Sequence, residues 1–101
     1  MTIEIAGEKR LLTARLDGEL DHRSVDDIRK EIEKHISKTG VINVALDFSN
    51  VIFMDSSGIG FILGRYKTVR ALGGRLILFG MSREIERIVK MSGIDKIAEI
   101  Y

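Results

Sequence analysis

Near the start of the chain, apolar residues alternate with polar ones: Ile3 and Ile5, then Leu12, Ala14 and Leu16, with Gly7-Glu8-Lys9 between the runs and Asp17-Gly18 after the second. A period of two buries one face of a strand, so the pattern predicts a hairpin that opens the sheet. The period then changes. Val25, Ile28, Ile32 and Ile36 fall on one stripe of a helix, and Asp26, Arg29, Lys30, Glu33 and Lys34 form its solvated side. Ser24 followed by Asp27 has the form of a capping box, Asp21 is the other candidate cap, and Thr39-Gly40 marks the end. Val41 to Phe48 is β-branched and nearly continuous in apolarity, which predicts a central strand covered on both faces. Ser49 to Phe53 leads on to Met54-Asp55-Ser56-Ser57-Gly58-Ile59-Gly60. From there Ile59, Ile62, Leu63, Tyr66, Val69 and Leu72 recur at helical spacing until Gly73-Gly74. Leu76 to Phe79 reads as a second buried strand. Ser82 can cap a third helix with Ile85, Ile88 and Val89 inward and Gly93 at its end, leaving Ile94 to Tyr101 as a short strand or an irregular tail.

This order predicts an α/β domain with a mixed sheet of four to five strands and three to four helices. Right-handed crossovers make the strands from the central one onward parallel, and the hairpin supplies the antiparallel part. Loops at the carboxyl ends of strands gather on one edge. The loop Gly18 to Asp21 is therefore expected to meet Met54 to Gly58, with Asp21 and Asp55 flanking Ser56. At that strand-to-helix junction the first N–H groups lack partners and the helix dipole is positive, so an oxygen or anion at Ser56 is favoured. A plain cap by Asp55 or Ser56, with Gly58 and Gly60 permitting close packing, explains the same residues.

Composition narrows the function. The 101 residues, 45% hydrophobic and 31% charged, suit one domain spanning 1–101 with one core. Sixteen basic against fifteen acidic side chains and 6% aromatic residues leave no footprint for nucleic acid. The chain has no cysteine, and no apolar run approaches the roughly 20 residues of a membrane span, so a cytoplasmic protein with no membrane partner is expected. His22 and His35 come with no cysteine and no acidic pair at ligand spacing, so no metal is expected. Ser56 lacks the Gly-x-Ser-x-Gly context of a nucleophile elbow; Gly58, Gly60 and Gly64 miss the dinucleotide spacing; no Gly-Lys-Ser/Thr forms a P-loop. No enzyme is predicted, and no catalytic residue or cofactor.

Two stretches taken together carry a family likeness. Gly18-Glu19-Leu20-Asp21-His22 and Phe53-Met54-Asp55-Ser56-Ser57-Gly58-Ile59-Gly60, followed by Ile62-Leu63-Gly64-Arg65-Tyr66-Lys67 and by Met91-Ser92-Gly93, resemble the anti-sigma factor antagonists of the STAS domain class. The likeness covers nearly the whole chain and is closest to the sporulation stage II forespore type. It implies a phosphorylation switch without catalysis. In such a switch the unphosphorylated antagonist binds an anti-sigma factor that is also a serine kinase, with ATP or ADP on that partner, and frees the sigma factor. Phosphate on the serine after the motif aspartate, here Ser56, ends the complex, and a metal-dependent serine phosphatase restores it. The resemblance further implies that Asp21 contacts the kinase or shapes the acceptor site, with Asp55 beside it. Ser57 caps or packs, or serves as a minor acceptor. Gly58 and Gly60 would admit the partner's backbone, and Ile59 and Phe61 would add apolar contact where they do not belong to the core. Arg65, Lys67 and Arg70 are expected on a solvated outer face, and the free protein as a monomer. Members of the family often continue into a further C-terminal helix, whereas this chain ends at Tyr101 just after the last predicted strand. The alternative is a structural STAS module that assembles with like domains or binds a nucleotide in a signalling scaffold.

Overall fold

The computed structural model describes residues 2–8 and 11–101. The chain runs β1 (Thr2–Glu8), β2 (Leu11–Leu20), α1 (Val25–Thr39), β3 (Asn43–Met54), α2 (Ser56–Ala71), β4 (Leu76–Phe79), α3 (Arg83–Met91), a 3-10 turn (Ile94–Lys96) and β5 (Glu99–Ile100). The five strands lie in sequence order across one sheet, with β1 antiparallel to β2 and every later neighbour parallel. The expected mixed α/β architecture is present, with β3 in the middle. Of the turn placed at Gly7-Glu8-Lys9, Gly7 and Glu8 continue β1 opposite Leu12 and Leu11, and Lys9 lies outside the described residues. The tail contains both a turn and a strand, and Arg75 on the β4 side clasps Glu99 of β5 through a two-pronged ion pair.

Leu12, Ala14 and Leu16 of β2, Val44, Leu46 and Phe48 of β3, and Leu76 and Leu78 of β4 are buried on one face, as a period of two requires. Against them pack Ile28, Ile32 and Ile36 of α1, Phe61, Ile62 and Val69 of α2, and Ile85 and Val89 of α3. The expectation that β3 is covered on both faces is corrected. Its other side carries Asn43, Asp47 and Ser49, none of them buried, and only Ala45 is shielded there. The continuous apolar look came from Val41 and Ile42, which precede the strand, and from Ala45.

The inward face of α2 is also turned from the predicted one. Gly58, Phe61, Ile62, Arg65 and Val69 are buried, whereas Leu63 and Leu72 are exposed. The buried set spans intervals of three and four residues, so it is a coherent helical face rotated from the stripe that begins at Ile59.

Candidate functional site

Two parallel strand ends build the site. Leu20 of β2 stands opposite Met54 of β3, so the residues after them, Asp21 and Asp55, leave the sheet side by side. The Asp55 N–H donates to the Leu20 carbonyl at 3.4 Å and ties the two loops. Extended backbone at Asp55 then turns into α2. Its carboxylate Oδ1 accepts from the Ser57 N–H at 2.8 Å, and its carbonyl accepts from the Gly58 N–H at 3.0 Å. Asp55 is therefore the cap. Ser56, the first helical residue, is exposed, and its hydroxyl makes no hydrogen bond among the described residues. The first-turn N–H groups expected to be open to an anion are partly used, since Asp55 already holds those of Ser57 and Gly58.

The other strand end, that of β2, leads into the loop before α1. Asp21 Oδ1 accepts from the N–H groups of Arg23 at 3.0 Å and Ser24 at 3.2 Å. Ser24 Oγ accepts from the Asp21 N–H at 3.1 Å and donates to the Glu19 carbonyl at 2.8 Å. The capping box of Ser24 with Asp27 does not form, because the Ser24 hydroxyl is turned back onto the loop. Desolvation pushes the Asp21 pKa up, but the Arg23 and Ser24 N–H groups and the Arg23 charge outweigh it and hold the carboxyl below its ordinary 3.8. Asp21, Ser24, Asp27 and Ile52 border an open cleft of about 530 Å³.

The structure thus brings Asp21, Asp55, Ser56 and Ser57 to one edge, with Gly60 exposed on the next turn of α2. Ser57 is half-buried and faces a second groove between α1 and α2, beside Val25, Phe61 and Arg65. Two contact assignments are corrected, those of Phe61 and Gly58, and Ile59 keeps an open side. Phe61 is 5% exposed and belongs to the core, so it shows no more than an edge in that groove. Gly58 is buried against Met54 and Leu20, so its missing side chain serves internal packing. Ile59 is half-buried and packs on the core with one side only.

Arg65 was expected in solvent and is instead 4% exposed. Its Nη2 meets Glu33 Oε1 of α1 at 3.2 Å, its guanidinium lies 5.2 Å from the Phe61 ring centre, and its Nε and Nη1 have no hydrogen-bond partner among the described residues. Burial pushes its pKa down, opposed by the Glu33 carboxylate. The signal that could have found it is its spacing: Arg65 follows Phe61 by four residues and Ile62 by three, on the buried face.

Among the described residues no group of three or more His, Cys, Asp or Glu could hold a metal, and no helix is long and apolar enough to cross a membrane. An exposed hydroxyl at a helix start, with no base bonded to it among the described residues, can receive a group but is not an activated nucleophile.

Comparison with known proteins bears on this edge. The sequence matches the STAS domain family over residues 2–101. It is 38% identical over 101 residues to the anti-sigma F factor antagonist of Paenibacillus polymyxa, covering 100% of this chain and 86% of the relative. With the protein of the same description from Lysinibacillus sphaericus it shares 36% over 86 residues, 85% of this chain and 74% of that one. Among solved structures it is similar to the anti-sigma factor antagonist SpoIIAA in its unphosphorylated form (TM-score 0.85, 33% identity, 99% of this chain and 88% of that chain). It is also similar to the Bacillus cell fate determinant SpoIIAA in the phosphorylated form (TM-score 0.77, 33% identity, 99% and 91%).

Proposed function

The chain belongs to the STAS family, among the anti-sigma factor antagonists, and from that premise we propose that residues 1–101 act as one STAS domain switched by phosphate on Ser56. Unphosphorylated, the domain binds an anti-sigma factor that carries ATP-dependent serine kinase activity, and so releases the sigma factor. Phosphorylated, it lets go until a metal-dependent serine phosphatase removes the group. The nucleotide belongs to the partner, and the domain itself performs no catalysis.

One observation carries this function: Ser56 is the exposed first residue of α2, its hydroxyl without a hydrogen bond among the described residues, at the edge where Asp21 and Asp55 leave the sheet together. A phosphate adds about −1.5 to −2 charges. The helix start is already occupied by Asp55, whose carboxylate holds the Ser57 N–H and whose carbonyl holds the Gly58 N–H, so the phosphate competes with both for them and stays at the surface. There it brings like-charge repulsion with Asp21 and Asp55 and a desolvation cost to any docked partner. The fold does not have to move. The likeness of this chain to both forms of SpoIIAA supports a switch of that kind.

Incubation with the anti-sigma factor of the same genome and ATP, followed by mass spectrometry of peptides, tests the proposal. Phosphate is expected on Ser56 and absent from a Ser56→Ala variant. Equal labelling of the variant, or none in the wild type, would overturn it and favour a structural STAS module.

A further inference from the structure

β3 does not run straight to the site. Between Arg15↔Asp47 and Asp17↔Asn50 it advances three residues against two of β2, and between Gly18↔Val51 and Glu19↔Phe53 it advances two against one. Each extra residue reverses which side chains face the core. The buried set therefore passes from Val44, Leu46 and Phe48 to Val51 and then to Met54. Ile52 is the unpaired extra residue of the second bulge. A regular strand would bury one of two adjacent side chains, yet Ile52 is 77% and Phe53 49% exposed. β4 pairs with β3 only from Val44 to Asp47, so it does not cover this end.

We propose that Ile52 and Phe53 form the apolar anchor of the surface that the serine-kinase partner grips when it addresses Ser56. This inference rests on the switch proposed above and specifies its docking surface. Ile52 borders the same cleft as Asp21 and precedes the acceptor by four residues. A protein that brings a nucleotide's terminal phosphate to the Ser56 hydroxyl covers about 800 Å² on each side in a standard interface. On a molecule 32 × 27 × 19 Å that footprint takes in the bulge. A second copy of the chain fits less well. The cleft beside Ile52 carries Glu19, Asp21 and Asp27 against Arg23 alone, and a two-fold contact would set those carboxylates against themselves. Apolar residues at the centre of an interface, ringed by polar ones, are where binding energy concentrates. A phosphate placed beside such an anchor has to be desolvated with it, which sharpens the switch.

The test uses the full chain, the purified anti-sigma factor of the same genome and ATP. Titration calorimetry gives affinity, the initial rate of Ser56 labelling gives recognition, and urea unfolding controls for the fold. Ile52→Asp, at an exposed position, should lower affinity at least about tenfold and slow labelling in parallel, with the urea midpoint unchanged. Phe53→Ser should do the same to a smaller degree. If wild type and Ile52→Asp bind and are labelled alike, the anchor is wrong while the Ser56 switch stands. If wild type is not labelled on Ser56, the switch falls and the anchor's occupant with it. If sedimentation shows a dimer that Ile52→Asp dissociates, the patch belongs to a second copy and the proposal is overturned.

Discussion

Gly58 and Gly60 stand two residues apart on α2 and answer to opposite demands. A Cβ on Gly58 would lie 2.2 Å from Met54 Cγ and 3.3 Å from Leu20 Cδ2, whereas one on Gly60 meets nothing within 4 Å. Gly58→Ala should therefore destabilise the domain by about 1–3 kcal/mol through overpacking, less a helical gain of about 0.5–1 kcal/mol. Gly60→Ala should stabilise it by about 0.5–1 kcal/mol, because only the helical gain remains. Urea unfolding of the pair checks this, with midpoints moving in opposite directions. If Gly60 is where the partner's backbone approaches, Gly60→Ala also binds the anti-sigma factor more weakly while being the more stable protein. Asp21 supplies a pH dependence. Its folded pKa lies below 3.8, so its contribution to stability is complete above that value and is lost as pH falls through the folded pKa. Asp21→Asn should lower stability at pH 7, and acid titration of unfolding should show the gap to wild type closing below about pH 4.

At the scale of elements, α1 and α2 are joined by a charge. Arg65 on α2 reaches Glu33 on α1, and Glu33 Oε2 also receives Arg29 Nη1 at 3.1 Å. Removing a partner from a buried charge costs more than removing the pair, since the remaining ion stays desolvated. Glu33 is partly exposed, which moderates the loss, so Glu33→Gln should cost about 1–3 kcal/mol. Arg65→Met, of similar length and without the unpartnered Nε and Nη1, should cost less than Glu33→Gln or stabilise. Chemical denaturation of both single variants and the double variant gives the coupling, and additivity of the two would mean that the ion pair does not tie the helices. The bulged end of β3 works at the same scale. By reversing the strand's sides twice, it places Met54 under α2 and leaves Ile52 and Phe53 outside.

For the whole molecule, the site and the core are separate bodies of residues. The Ser56 side chain is exposed and makes no hydrogen bond among the described residues, so a charge there should act on association and not on folding. Ser56→Asp should shift the melting temperature by no more than about 4 °C, the range of a surface substitution of about 0.5 kcal/mol in a domain of this size. The same variant should bind the anti-sigma factor far more weakly by calorimetry. A large drop in melting temperature would make the lost binding a consequence of unfolding. The 3-10 turn and the two residues of β5 close the far side of the sheet, where the Arg75 to Glu99 ion pair holds them, away from the acceptor edge.

Element order and strand direction were legible in the sequence because hydrophobic period is a local property: two for β1 and β2, three to four for α1 and α3, with Ser82 capping α3 as its position suggests. The junction around Ser56 was legible for the same reason, since an acid, two serines and a glycine before a helical run describe a helix start. Tertiary structure alone decided which way α2 is turned, and with it that Phe61 and Arg65 lie inside and Gly58 under Met54. A helix with apolar residues on several sides has no single face to bury, and the choice falls to the neighbours it packs against. It also decided the register of β3. Bulges arise from pairing with another strand, so nothing within Ser49 to Met54 announces that Ile52 and Phe53 both end at the surface, beside the serine that the sequence had already singled out.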